Sequence, residues 1–347
     1  MHELSRRIMM RRLASLFTLW WPRPLRAGPL DDEIVPAGVT PTPPRNREVG
    51  INYTLWHYAK NGPEWNTSWG KPELGYYASG DRSVIRQHAV WLAHAGVDFI
   101  LLDWSNQIGA DDRTRKGLAW QLSIEDATRT LFDEYTTLPA RPKIAMLLGT
   151  PKDPAAITDG RLQAKADQVY SEFVENPVYR GLLLDYLGKP LFVVYVDTPS
   201  PYQHGAPPWS DARFTVRFMT GFLTQQPSLL GPARVSRYGY WSWEDRGAPT
   251  FPVVGGHPEV MTVVAAWRAA HGGIPARGRE GGATFRAEWA LTRRLGPRFV
   301  LVSDFNEWRR GEQPSAEISK DVEPSVQFGS LYLDILREQA MLFKAGL

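Results

Sequence analysis

The run VLVSDFNEWRRGEQ, residues 300–313, begins as an apolar strand and ends in an amide, a carboxylate, an indole and two guanidinium groups. Glycosidic bond cleavage needs two groups that transfer protons or attack beside an oxocarbenium-like centre. Carboxyls suit this, because local pKa makes one an acid and another a base or nucleophile. Glu307 at a strand end is a coherent fragment of such a site, with Asn306 to bind a hydroxyl and Trp308 to stack a ring. Arg310 and Glu312 follow close behind. The plainer reading pairs Glu307 with Arg309 or Arg310 in a surface salt bridge.

Three other stretches have the same composition. LLDWSN offers Asp103 and Asn106 to hold sugar hydroxyls and Trp104 as a subsite wall; the competing reading makes Asp103 a loop cap. YWSWEDR supplies Trp241, Trp243, Glu244 and Asp245, or is a solvated acidic loop. INYTLWHY places Tyr53, Trp56 and His57 after the first strand, although a lone His is more often a hydrogen-bonded core residue. The candidate catalytic acids are thus Glu307, Asp103, Glu244 and Asp245. The chain carries 14 Trp, 13 Tyr and 14 Phe, an aromatic supply that suits a carbohydrate cleft as well as a core.

Other chemistries lack their anchors. There is no cysteine, which removes disulfides, thiolate zinc sites and cysteine nucleophiles. No HExxH, GxSxG, GxGxxG or GxxxxGK[ST] motif is present, so no metal or cofactor is expected. A net charge of +3 without a Lys/Arg run among aromatics gives no basis for nucleic-acid binding. Carbohydrate is the expected partner; the sequence does not fix an oligomeric state.

These residues need elements to hold them. Strands are expected at EVGINYTLW, VDFILLDW, PKIAMLLG, KPLFVVYVD, ARVSRYGYWSW, VMTVVAAW and RFVLVSDFNEW, with TFPVV (250–254) as a candidate eighth. Helices are expected over 82–95, 121–137, 160–178, 211–225, 283–295 and 326–343. Asp81 caps the first and Gly96 stops it. Strands apolar on both faces imply a parallel sheet covered by helices. Polar residues just after the strands, including Asp197, match the C-terminal face of a (β/α)8 TIM-type barrel. A single barrel domain is expected over 47–347.

Residues 1–46 read as a basic leader and a Pro/Arg-rich linker. The paired arginines before the apolar run Leu13 to Trp21 suggest an export signal, hence a secreted or periplasmic protein. That run is too short to span a bilayer, and no stable membrane insertion is expected.

SDFNEWRRGEQ, followed by FGSLYLDIL, resembles the C-terminal signature of glycoside hydrolase family 99, the endo-α-mannosidases and related bacterial proteins. RQHAVWLAHAGVDFILLDWSN and GREGGATFRAEWALTRRLGPRFVLVSDFNEW are similar to earlier parts of that family. The resemblance spans about residues 48–338 and implies a barrel hydrolase. It also implies that Glu307 assists the sugar 2-hydroxyl in attacking the anomeric carbon. The family's second Glu, its general acid/base, falls on Arg310, which stays protonated at neutral pH. The acid then comes from elsewhere, with Glu312, Asp103, Glu244 and Asp245 as candidates; or Arg309 or Arg310 clamps an anionic substrate; or the barrel binds carbohydrate without cutting it.

Overall fold

Eight parallel strands form the frame: β1 Glu48–Tyr53, β2 Phe99–Trp104, β3 Lys143–Gly149, β4 Lys189–Tyr195, β5 Thr215–Thr220, β6 Trp241–Ser242, β7 Val260–Val263 and β8 Phe299–Val302. The computed structural model describes residues 37–108, 115–150, 154–196, 209–221, 233–236, 239–245, 249–269, 275–311 and 313–347. The leader, Asp197 and Glu312 lie outside them. Neighbouring strands hydrogen-bond in the order β7-β8-β1-β2-β3-β4-β5-β6. Between β6 and β7 no ladder forms among the described residues; there the Thr262 hydroxyl donates to the Ser242 carbonyl. The result is a nearly closed (β/α)8 TIM-type barrel.

The strands are apolar on both faces, and the period of two sorts their side chains. Phe99, Leu101, Ala145, Leu147, Leu191, Val193, Met219, Trp241, Phe299 and Leu301 fill the barrel. Their alternates, among them Val49, Ile51, Ile100, Leu102, Ile144, Met146, Val300 and Val302, pack outward against helices. Gly50 faces inward, where a Cβ would stand 2.2 Å from the Phe99 ring, so only glycine fits beside that phenylalanine.

The helices are α1 Arg82–His94, α2 Arg115–Thr137, α3 Arg161–Val169, α4 Ala283–Leu295 and α5 Leu331–Ala345. As the sequence suggests, Asp81 caps α1, accepting from the Ser83 N–H at 2.8 Å, a cap of about 1 kcal/mol. Gly96 follows it at φ 78°. Residues 40–46 run along the barrel, where the Thr40 and Thr42 N–H groups donate to the Gly256 and Gly296 carbonyls. Among the described residues no helix is long and apolar enough to cross a membrane.

Two expectations are overturned. The helix expected over 211–225 contains strand β5, flanked by β4 and β6. Thr215, Val216, Phe218 and Thr220 are β-branched or aromatic, and pairing on both sides outweighs any helical spacing. β5 is therefore the missing eighth strand, and 250–254 is not. Thr250–Phe251 instead pairs with Arg234–Val235 outside the barrel. Val253–Val254 forms a hairpin with His257–Pro258 around Gly255 and Gly256, whose positive φ values of 58° and 80° give the tight turn.

Candidate active site

The segment after β8 is held from two sides. Asn306 is a brace: its Oδ1 accepts from the Thr54 N–H at 2.9 Å, and its Nδ2 donates to the Thr54 carbonyl at 3.1 Å. The first and last strands are thereby tied at their C-terminal ends. On the other side, Asp321 accepts the Glu307 N–H at 2.6 Å and the Trp308 N–H at 2.9 Å. Trp308 needs that support, because its φ of 60° lies in the left-handed region that bulky residues avoid. Its ring stacks on Trp69 with centroids 4.6 Å apart. The turn fixes the backbone from which Glu307 projects.

Glu307 is 6% exposed, and its carboxyl meets a cation that the motif does not contain. Lys320 Nζ lies 3.1 Å from Glu307 Oε2, 2.9 Å from Asp304 Oδ2 and 3.3 Å from Glu244 Oε2. Gln313 Nε2 donates to the same Glu307 oxygen at 3.1 Å. One ammonium thus faces three carboxyls, all nearly removed from water. Burial opposes the charge on Lys320, but Asp304, Glu307 and Glu244 together outweigh it and hold the amine above the usual lysine range. Burial pushes the Glu307 carboxyl well up; Lys320 opposes this and Asp304 adds to it. Like charges packed this closely do not all ionise.

Asp103, on β2, feels the same group. Burial pushes it to about 6, against two hydrogen bonds from Ser105, with Asp304 raising it and Lys320 lowering it. Its Oδ1 accepts the Ser105 N–H at 2.7 Å, so it is also the loop cap of the competing reading. Trp243 is half-buried, meets Tyr195 edge-on at 5.7 Å and lies under the Lys320 ammonium at 5.6 Å. Trp56 and Asn106 are half-buried as well. The Trp56 Nε1–H donates to the Glu307 carbonyl at 3.2 Å. With Glu307, Asp103 and Glu244, these residues lie at or just beyond the C-terminal ends of β1, β2, β6 and β8.

The rest of the expected constellation is packed, tied into hydrogen bonds or, for Arg310, exposed. Asp103 and Trp104 are strand neighbours and face opposite sides: Trp104 points outward, is 0% exposed and donates to Thr128 at 2.8 Å. Trp241 lies inside the barrel, one layer below Trp243, and donates to Glu259. Trp308 is 1% exposed, with its Nε1–H on Glu323. None of these three indoles offers a face to a sugar. Tyr53 is buried with its hydroxyl 2.8 Å from His88 Nδ1. His57 stacks on Trp65 at 3.9 Å, and burial pushes its pKa down to about 3. Asn306 has its amide committed to Thr54. Asp245 is buried, not solvated, and accepts from Ser242 Oγ and the Thr250 N–H, each at 2.8 Å. Arg310 is exposed, its backbone N–H bonded to the Thr67 carbonyl. The surface salt bridge expected between Glu307 and an arginine is replaced by the buried contact to Lys320.

Reading the motif alone missed Asp304, Gln313, Lys320 and Asp321. Asp304 stands inside SDFNEW and was legible as an acid at a strand end. Lys320 and Asp321 come from a loop that folds back over the motif, and nothing local marks them. Arg279, 0% exposed, anchors that loop by donating to Ser319 Oγ and the Asp321 carbonyl.

With this geometry in view, comparison with solved structures identifies the architecture. A GH99 endo-α-mannosidase from Bacteroides thetaiotaomicron superposes at a TM-score of 0.55 with 15% identity, covering 86% of this chain and 98% of that one. The fold is the GH99-like barrel. A second structure of a GH99 endo-α-mannosidase from that source, in complex with BIS-TRIS-propane, gives 0.57 at 15% identity and the same coverage. A glycoside hydrolase-like protein gives 0.51 at 16% identity, covering 89% and 98%. No family model matches the chain, and no curated protein matches it. At such identities the likeness is one of fold, and function rests on the site.

Proposed function

We propose that this GH99-like barrel is a glycoside hydrolase acting on a polysaccharide or glycan. The observation that carries the reading is the buried Glu307 carboxyl beyond the end of β8, which shares the Lys320 ammonium with Asp304 and Glu244. Glu307, which burial pushes well up, is the proton donor to the departing glycosidic oxygen in this reading, a role different from the assistance to the 2-hydroxyl that the resemblance implies. Asp103, ionised above about pH 6, is the second carboxylate, which activates water or meets the positive anomeric centre. Two carboxyls whose surroundings drive them to different protonation states are what this chemistry needs. Trp243 and Trp56 supply ring faces at the mouth.

A second reading, a barrel that binds carbohydrate without cutting it, is favoured by one observation. Lys320 and Gln313 both contact the Glu307 oxygen that a substrate would address. A glycan panel assayed for binding and for reducing-end release separates the two. Release that disappears in Glu307→Gln supports hydrolysis; binding without release from any glycan supports the second reading.

A further inference from the structure

We propose that Arg309 is a specificity-determining residue that receives an acidic group of the glycan, which makes the substrate class an anionic carbohydrate carrying a carboxylate, sulfate or phosphate. The proposal rests on the reading of the barrel as a carbohydrate-handling protein, whether it cuts or only binds.

The argument begins with where the guanidinium is held. Arg309 follows Glu307 by two residues, and its main chain is fixed: Arg309 pairs with Ser68, and the Trp69 N–H donates to the Trp308 carbonyl at 3.1 Å. Its guanidinium lies over the Trp56 ring, 5.9 Å from the centroid, within the range of a cation–π contact. The same indole donates to the Glu307 carbonyl at 3.2 Å. One tryptophan therefore ties the guanidinium to the backbone of the candidate acid. Glu307 is buried, whereas Arg309 is exposed.

The N–H groups of that guanidinium are uncommitted. Arg180 holds Asp185 and Arg286 holds Glu338 elsewhere on the surface. Lys320 is committed to Asp304, Glu307 and Glu244. Arg309 has no acid and no hydrogen-bond acceptor among the described residues. A second guanidinium stands close by: Arg268, from beyond β7, donates to the Gly311 carbonyl at 3.2 Å. Gly311 is exposed, and a Cβ added to it would meet only Arg309 Nε, at 3.8 Å, among the described residues outside its chain neighbours. Two like charges thus flank one open glycine, an arrangement that an oxyanion relieves. Arginine presents a planar fork that matches carboxylate and phosphate oxygens, and an aromatic contact holds the fork in place before the ligand arrives. Arg310 carries the same charge, but no ring holds it among the described residues.

Calorimetry on the intact protein tests this, with oligogalacturonates, sulfated oligosaccharides and phosphorylated oligosaccharides, each beside a neutral chain of the same length. At least one acidic oligomer is expected to bind about tenfold or more tighter than its neutral counterpart, and the arm that shows the preference identifies the oxyanion. Arg309→Ala should abolish the preference and leave neutral binding unchanged; Arg309→Gln serves if the alanine variant does not fold. Arg310→Ala removes an equal charge one residue away and should keep the preference. The proposal is overturned by a protein that prefers no acidic oligomer or binds none of the panel, by a preference that survives Arg309→Ala, or by an equal loss in Arg310→Ala, which marks a general attraction. A preference without reducing-end release keeps the proposal and rejects the hydrolase reading. Release from neutral glycans with no acidic preference does the reverse.

Discussion

Lys320 Nζ stands 3.1 Å from Glu307 Oε2, although 13 residues separate them in a chain that leaves the barrel and returns. That contact makes Glu307 a buried, charge-regulated group instead of a surface acid. Replacing Glu307 by Gln keeps the Gln313 contact and the shape but removes the transferable proton. Reducing-end release is expected to fall by about 10²–10⁴-fold, with the circular dichroism spectrum unchanged. Near-normal turnover in Glu307→Gln would remove the assignment.

The protonation states set a pH dependence of activity. Asp103 must be ionised, and it is pushed to about 6. Turnover should rise as pH climbs through 6 and fall again where Glu307 loses its proton. A pH–rate profile in Asp103→Asn should lose the acidic limb along with most of the activity.

Stability should follow a different course. Burial raises Asp103 and Asp245 to about 6 and Asp321 to about 7. Each holds its proton more tightly folded than unfolded. Their contribution is complete near pH 4 and is lost as pH rises toward 7. His57, depressed to about 3, works in the opposite direction below about pH 6.5, but as one group against three. The thermal midpoint is expected to be higher at pH 5.5 than at pH 8; a midpoint that rises between those values contradicts this account.

The aromatic residues divide into core and mouth. Trp308→Ala should cost about 3–5 kcal/mol in denaturant unfolding, because a stacked, buried indole leaves a cavity. Trp243→Ala should change stability less while weakening glycan binding, measured by calorimetry. Equal losses of stability in both variants would refute the division.

Arg310, where the sequence resemblance leads one to expect an acid, has an exposed side chain with no partner among the described residues. Arg310→Ala should shift stability by less than about 0.5 kcal/mol and leave release of neutral sugars largely intact. A large loss of release would return this arginine to the site.

The barrel was legible because burial on both faces leaves a continuous apolar run, as in FILLDW and FVLV. β5 was not, because TVRFMT admits either period when read without its neighbours. Glu307 was legible as an acid ending a strand. The indoles beside the acids misled: along a strand, a residue next to one that faces the mouth faces the helices, which the sequence states for Trp104 as soon as Asp103 is placed inward. Lys320 depends on a return loop anchored by Arg279, a long-range contact without a local pattern.

Among the described residues the joint between β6 and β7 lacks a backbone ladder, and Glu244 lies just beyond one of its edges. Lys320, from the loop that follows β8, reaches over that seam to Glu244. A side-chain clasp closes the rim where peptide bonding does not. A guest that draws this amine aside unfastens the wall at its weakest point, so admitting a ligand and loosening the rim become a single event.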